Sequence, residues 1–302
     1  MKKSLLAGSA AMLMAFGLVG MAHADDTLKK IKESGSITEG VRESSGALAF
    51  TLGDGKYTGF HYDVCAHIIG DIKKHLGLAK LDVKYQPVTS QNRIPLVQNG
   101  TVDLECGSTT NNLAREKDVA FAPALYVEEV RIAVKANSGI NSIAQLNGKT
   151  IATTTGTTSV QLLRKNKRAQ GIDFKELNGK DHSDSFLLLE SGRADAFVMD
   201  GQILAGLISK AKNPADYKIV GEPLSVEPIA IMYRKDDPAF KKLVDDSVRA
   251  LAKSGEAAKL YDKWFMKPIP PANTTVNLPA SEATKAAWAN PTDKPLEQYT
   301  QP

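Results

Sequence analysis

The chain has 302 residues and a formal net charge of +4, with 42% hydrophobic and 24% charged residues. This near-neutral balance is not typical of proteins that bind nucleic acid or an anionic membrane surface. The length favours two domains, and the apolar content is sufficient for each to form a core.

The first 24 residues are typical of a secretory signal peptide. Two lysines form a basic start, an uncharged apolar run covers residues 4–21, and Ala22-His23-Ala24 supplies the small residues of a cleavage site. A membrane anchor is the alternative, because about 18 apolar residues nearly span a bilayer. Two aspartates directly after the A-x-A motif favour cleavage after Ala24. We therefore predict an exported protein whose mature chain is soluble.

After this leader, the apolar periodicity predicts strands and helices in alternation. The predicted strands are 36–41, a hairpin over 48–60 turned by Asp54-Gly55, 81–87, 102–106, 131–135, 150–154, 173–177, 194–199, 217–220 and 229–233. The predicted helices are 27–33, 62–76, 93–98, 143–146, 159–168, 183–191, 201–208, 238–254, 256–265 and 281–289. This alternation indicates an α/β fold with largely parallel sheets covered by helices.

The sequence contains two cysteines, Cys65 and Cys106. In a protein sent to an oxidising space, such a pair is expected to form a disulfide, which would close a loop of about 41 residues and stabilise the fold by roughly 4 kcal/mol. The alternative is two unrelated buried thiols. No C-x-x-C motif is present, so we assign the pair no redox role.

Polar segments directly follow three of the predicted strands. They are 108–110, 155–159 and Asp200. In α/β sheets, ligands bind at the carboxyl ends of strands and beside the N-termini of helices. The three segments are therefore expected to converge on one site.

The residue types in and near these segments match the needs of a free amino acid. A carboxylate requires a guanidinium together with amide and hydroxyl donors, and an ammonium requires a carboxylate. Arg115, Thr110 and Thr158 could serve the carboxylate, and Asp200 could serve the ammonium. These residue types are common, so the pattern alone indicates an amino-acid site without defining its selectivity.

Several longer segments are characteristic of one protein family. They are Gly40–Ser45 (GVRESS), Ser90–Gly107 (SQNRIPLVQNGTVDLECG), Ser108–Asn112 (STTNN), Asp181–Phe186 (DHSDSF), Leu189–Ala194 (LESGRA), Gly255–Ala257, Trp264-Phe265 and Pro268–Pro271. In these segments, and over nearly the whole mature chain to about Pro270, the sequence resembles the periplasmic glutamate/aspartate-binding proteins of ABC importers.

The resemblance implies a two-lobed periplasmic-binding-protein fold and a set of ligand contacts. Arg115 would clamp the α-carboxylate with Thr110 and Thr158, and Asp200 would hold the ammonium with Ser108 nearby. The residues around the side-chain carboxylate would be Arg42, Ser90, Arg93 and His182. The alternatives are that Arg42 and Arg93 pair with surface acids, and that His182 is a structural hydrogen-bond partner.

This set of contacts predicts selectivity for acidic amino acids. Three arginines and one aspartate require a second anion in the ligand, which glutamate and aspartate supply. Glutamine would leave a buried guanidinium unpaired, at a cost of roughly 2–5 kcal/mol or about 30- to 3000-fold in affinity.

The chain order predicts two lobes joined by two crossing strands, near residues 126–130 and 221–227. After the signal peptide, 1–24, the predicted units are lobe 1 (25–128 and 223–270), lobe 2 (129–222) and a C-terminal tail (271–302) that wraps the surface or is mobile. A ligand that contacts both lobes favours the closed state. The resemblance implies a periplasmic monomer that hands L-glutamate or L-aspartate to an ABC transporter permease.

The main alternative is an enzyme, because the same fold hosts periplasmic dehydratases that act on prephenate-like acids. The sequence has no G-x-S-x-G, H-E-x-x-H or P-loop motif. His182 is the only candidate general base, and a triad with its neighbours Ser183 and Asp184 would need adjacent loop residues to converge. We therefore expect a binding protein without cofactor or metal.

Overall fold

A computed structural model describes residues 26–299, so the predicted signal peptide and its cleavage site lie outside the described residues. The strands are β1 Ser36–Val41, β2 Ser44–Ser45, β3 Ala49–Gly53, β4 Lys56–Thr58, β5 Asp82–Pro87, β6 Leu104–Glu105, β7 Val119–Phe121, β8 Tyr126–Lys135, β9 Thr150–Thr154, β10 Lys175–Gly179, β11 Ala196–Asp200, β12 Tyr217–Ile229 and β13 Met232–Arg234. The helices are α1 Thr27–Ser34, α2 Phe60–His75, α3 Arg93–Gln98, α4 Leu113–Glu116, α5 Thr158–Gln170, α6 His182–Glu190, α7 Gly201–Ser209, α8 Pro238–Lys253, α9 Glu256–Tyr261 and α10 Glu282–Ala289. None of the helices within this range has both the length and the apolar character needed to cross a membrane.

Two five-stranded sheets form the centres of two lobes, which confirms the predicted two-lobed α/β fold. The first sheet has the order β5-β1-β6-β13-β7 and the second has the order β10-β9-β11-β8-β12. In the first, β1 pairs in parallel with β5 and β6, whereas β13 is antiparallel to β6 and β7. In the second, β9 pairs in parallel with β10 and β11, whereas β8 is antiparallel to β11 and β12. Antiparallel pairing is thus more extensive than the sequence pattern indicated. In the second sheet it arises because β8 and β12, which run between the lobes, join that sheet.

The predicted crossing segments are continuous with neighbouring strands of the second sheet. β8 begins at Tyr126 and β12 continues to Ile229, and the two pair with each other over the crossing, from Val130 with Ser225 to Tyr126 with Ile229. Apolar periodicity predicted the parts at 131–135 and 217–220, and the chain order of the lobes predicted the crossing parts. The crossing parts gain their strand structure from each other.

The first lobe contains the largest core and the disulfide. Buried side chains of α2, α8 and α9 pack on the first sheet. Cys65 in α2 is bonded to Cys106, directly after β6, with a Cα–Cα distance of 6.2 Å. The predicted disulfide is confirmed, and it ties α2 to the chain segment that leads into the polar residues 108–112.

The tail of the chain packs against the first lobe and the crossing strand β8. The indole nitrogen of Trp288 donates to the carbonyl of Leu125 at 2.8 Å. The Val127 amide donates to the Thr284 hydroxyl at 3.1 Å. Of the two predicted behaviours of the tail, wrapping the surface describes residues 281–299.

Candidate ligand-binding site

A small cavity of about 10 Å³ lies between the two lobes. Every predicted ligand residue except Arg42 and Arg115 lines it: Ser90, Arg93, Ser108, Thr110, Thr158, His182 and Asp200, together with Thr157 and Met199. Arg42 and Arg115 lie directly behind this wall, since Arg42 donates to Ser90 and Arg115 donates to the carbonyl of Thr110. The structure therefore brings all nine predicted residues together.

Strand ends and helix starts position these side chains. In the second lobe, α5 begins at Thr158, α6 begins at His182, and α7 directly follows Asp200. In the first lobe, the segment after β6 is fixed to the crossing strand β12, because the Asn111 amide donates to the Pro228 carbonyl at 2.9 Å. This is the convergence at strand ends expected for an α/β fold.

The backbones of the two lobes lie close together at Gly156. This residue has a φ of +82°, and a Cβ there would lie 2.7 Å from the carbonyl oxygen of Ser90 in the opposite lobe. A side chain at position 156 would therefore be strained by its backbone angle and would also push the lobes apart.

Gln202 of α7 also holds the two lobes together in the closed form. Its side-chain oxygen accepts from the Ala47 amide at 3.0 Å, and its side-chain nitrogen donates to the Ser45 carbonyl at 3.2 Å. These bonds join the second lobe to the first without a ligand.

Arg42 is fully buried and held by three partners. Its Nη2 donates to Ser90 at 3.1 Å and to Asp181 at 3.2 Å, and lies 3.1 Å from Nε2 of His182. Because its side chain is fully buried, the alternative that Arg42 forms an ion pair on the surface is wrong. Its Nε and Nη1 nevertheless have no hydrogen-bond partner among residues 26–299.

His182 is a neutral acceptor for Arg42. Because a guanidinium only donates, Nε2 of His182 must accept, and the ring proton therefore lies on Nδ1, 3.0 Å from the Thr154 hydroxyl. Burial first, and then the positive charge of Arg42, lower the pKa of His182 to about 3. Its neighbours Ser183 and Asp184 are exposed, so the residues of the imagined triad do not converge.

Arg93 is a buried charged side chain that lacks hydrogen-bond partners. It is 2% exposed and lines the cavity, and its Nε and Nη1 lack a hydrogen-bond partner within the described part of the chain. Burial and the nearby Arg115 lower the pKa of Arg93 well below its usual value. A buried guanidinium in this state is stabilised strongly by an incoming anion.

Arg115 and Asp200 lie in the remaining part of the site. Arg115 donates to the carbonyl of Thr110 at 2.8 Å and to that of Gly156 at 3.3 Å, and so bridges the lobes. Burial, followed by repulsion from Glu227, raises the pKa of Asp200 to about 7, although the nearby arginines oppose this change. An ammonium bound beside Asp200 would favour its ionised form.

Sequence reasoning missed two fully buried acids at this site. Glu105 accepts from the Thr109 hydroxyl at 2.6 Å, and Glu227 accepts from the hydroxyls of Thr110 and Thr158. The count of three arginines against one aspartate was therefore incomplete, because Glu105, Glu227 and Asp181 also face the arginines. What carries the argument for an anionic ligand is the pairing of individual groups, above all of Arg93, and not a net charge.

Sequence comparisons show what this chain resembles. The family model for bacterial extracellular solute-binding proteins, family 3, matches residues 37–267. The glutamate/aspartate import solute-binding protein of Escherichia coli is 45% identical over 295 residues, which cover 95% of this chain and 98% of the relative. The L-glutamate/L-aspartate-binding protein of Pseudomonas aeruginosa is 47% identical over 274 residues, 90% of each chain.

Solved structures share the fold. An ancestral arginine-binding protein bound to arginine matches with a TM-score of 0.67 and 30% identity, over 76% of this chain and 98% of its own. Two lobes, two crossing strands and a polar cavity between the lobes define the class of two-lobed solute-binding proteins. Within that class, the chain belongs to the bacterial extracellular solute-binding proteins, family 3.

Proposed function

We propose that this protein captures L-glutamate or L-aspartate in the periplasm by lobe closure and delivers it to the membrane permease of an ABC transporter. The observation that carries the proposal is the buried guanidinium of Arg93, which lines the interlobe cavity with two unpartnered nitrogens, in the same wall as the carboxylate of Asp200. The names of relatives at 45% and 47% identity support the same ligands.

The ligand groups are assigned from the contacts around the cavity. Asp200, with Ser108 nearby, holds the α-ammonium. Arg115, with Thr110 and Thr158, binds the α-carboxylate at the start of α5, where free backbone amides favour an anion. The side-chain carboxylate lies among Arg42, Ser90, Arg93 and His182.

The remaining parts of the proposal concern the whole chain. The signal peptide is cleaved after Ala24, and the mature protein is a periplasmic monomer. Lobe 1 comprises 25–128 and 223–270, lobe 2 comprises 129–222, and the tail is 271–302. The two crossing strands between the lobes support this division.

The dehydratase alternative is not favoured. General acid–base catalysis is most effective with a group whose pKa lies near the working pH. Asp200, with a pKa of about 7, meets this condition, but the proposed ligand's ammonium occupies it. His182, the only base that the sequence offered for this role, has a pKa of about 3 and uses both ring nitrogens in contacts with Arg42 and Thr154. The relatives at highest identity are named as binding proteins for import. We propose that the chain catalyses no reaction.

The ligand is tested by calorimetry with glutamate, aspartate, glutamine and asparagine. We expect both acids to bind, and glutamine to bind about 30- to 3000-fold more weakly than glutamate, because its amide cannot neutralise Arg93. Comparable affinities for glutamine and glutamate would contradict the assignment.

Lobe closure is tested by small-angle scattering with and without glutamate. Because the ligand contacts side chains of both lobes, we expect the radius of gyration to fall on addition of glutamate. Gly156→Val, which places a side chain against Ser90, is expected to reduce this compaction. An unchanged radius in the wild-type protein would argue against capture by closure.

A further inference from the structure

Glu227 is a buried carboxylate behind the cavity wall, on the crossing strand β12. It is 1% exposed and is not among the residues that line the cavity. Its Oε2 accepts from the Thr110 hydroxyl at 2.6 Å and from the Thr158 hydroxyl at 2.8 Å. Its Oε1 accepts from the hydroxyl of Ser225 at 2.6 Å. One carboxylate oxygen of Glu227 thus accepts a hydrogen bond from one threonine of each lobe.

These contacts determine what the two threonines can offer a ligand. A hydroxyl has a single proton to donate and two lone pairs to accept with, whereas a carboxylate only accepts. Thr110 and Thr158 therefore donate their protons to Glu227, behind the wall. Both residues line the cavity, and toward a ligand there their hydroxyl oxygens could only accept.

Acceptors suit one group of an amino acid and repel the other. An ammonium donates three hydrogen bonds, whereas a carboxylate needs donors. Hydroxyl oxygens whose protons are held by Glu227 are therefore matched to the ammonium, beside Asp200. The α-carboxylate retains Arg115 and the backbone amides at the start of α5.

We propose that Glu227 is a positioning residue of the ligand site, which takes the protons of Thr110 and Thr158 so that their oxygens accept from the ligand's ammonium. The proposal rests on the proposed function, because it assumes an α-amino acid in the cavity. It changes the task of the two threonine side chains from binding the α-carboxylate to binding the ammonium. Because the threonines come from different lobes, the pair of acceptors is complete only in the closed form.

The test compares Glu227→Ala with the wild-type protein, using glutamate and glutarate. Glutarate has the two carboxylates of glutamate and no ammonium. Glutamine is not used at this position, because its single carbonyl oxygen could replace Oε2 and accept from both threonines. In Glu227→Ala neither threonine keeps this acceptor, so both hydroxyl protons can turn toward the cavity. We expect glutamate affinity to fall about 10- to 100-fold, while glutarate affinity measured by competition falls less or rises.

A double-mutant cycle keeps the test decisive if glutarate binds too weakly to measure. When Thr110→Val and Thr158→Val have already removed both hydroxyls, adding Glu227→Ala should reduce glutamate affinity by much less than it does in the wild-type background. Additive losses, or an equal loss for both ligands, would overturn the role of Glu227. Melting temperatures of all variants show whether the fold is retained.

The controls separate this proposal from the proposed function. Ser225→Ala removes a partner of the other oxygen of Glu227 and should change glutamate affinity less than Glu227→Ala does. If the wild-type protein fails to bind glutamate, the proposed function fails before any variant is compared. If it binds glutamate and Glu227→Ala binds it equally well, only the role of Glu227 is refuted.

Discussion

The two ends of the cavity differ in how completely their polar groups are already paired. At the backbone end, formed by Thr110, Arg115, Thr158 and Asp200, the arginine bonds two carbonyls and both threonine hydroxyls bond Glu227. At the side-chain end, formed by Arg42, Ser90, Arg93 and His182, both arginines carry buried nitrogens for which residues 26–299 supply no partner. The polar groups of the backbone end are therefore paired before a ligand binds, whereas the arginines of the side-chain end require an anion.

This difference separates general from selective recognition. Every α-amino acid presents the same ammonium and carboxylate, so prearranged groups at the backbone end serve all of them. The unpaired guanidinium groups favour only a ligand that brings a second anion, because leaving them unpaired has a large free-energy cost. A solved structure with the same fold is bound to arginine, so the fold alone does not set this selectivity.

The largest loss of glutamate affinity is expected from a substitution at the side-chain end of the cavity. Arg93→Gln removes the charge that lines the cavity, and we expect glutamate affinity to fall about 30- to 3000-fold, as for loss of one partner of a buried charge pair. Glutamine affinity should change far less, so the variant should lose its preference between the two ligands. Calorimetry with both ligands measures this.

The matched control is Arg164→Gln, because Arg164 is 52% exposed and pairs with Glu176 on the surface. It should bind glutamate as the wild-type protein does. Equal losses of glutamate and glutamine affinity in Arg93→Gln would show that Arg93 supports the site as a whole and does not select the side chain.

Sequence reasoning located the backbone end for a physical reason. Thr158 and Asp200 follow predicted strands, and the carboxyl ends of strands in an α/β sheet meet beside helix starts. The side-chain end depended on family resemblance, since nothing local to Arg42 or Arg93 shows that their side chains turn inward. Their burial, at 0% and 2% exposure, results from tertiary packing.

The buried acids could not be predicted in the same way. Glu105 lies in the short strand β6 and Glu227 in a crossing strand. A prediction from apolar periodicity assigns charged residues such as these to the solvent-exposed face. The partners of Glu227 lie 117 and 69 residues away in the chain. Such a group is recognised only when the fold brings its partners to it.

A smaller effect, the dependence of glutamate affinity on pH, tests the backbone end of the cavity. Burial, and then repulsion from Glu227, raise the pKa of Asp200 in the closed, empty protein to about 7, against the attraction of Arg93, Arg115 and Arg42. A nearby ammonium favours the ionised carboxylate, so binding lowers this pKa and releases a proton near neutral pH. Affinity should therefore decrease as the pH falls below about 7, by at most tenfold per pH unit.

Calorimetry from pH 5 to 8, in buffers with different ionisation enthalpies, measures both the affinity and the protons released. His182 has a pKa of about 3 and does not titrate in this range. Asp200→Asn should bind glutamate weakly and with little pH dependence, because its side chain no longer titrates. A wild-type affinity that stays constant down to pH 5 would mean that Asp200 is ionised before the ligand arrives. The empty protein would then hold its backbone end open to water, and the ammonium would meet a carboxylate that is already charged.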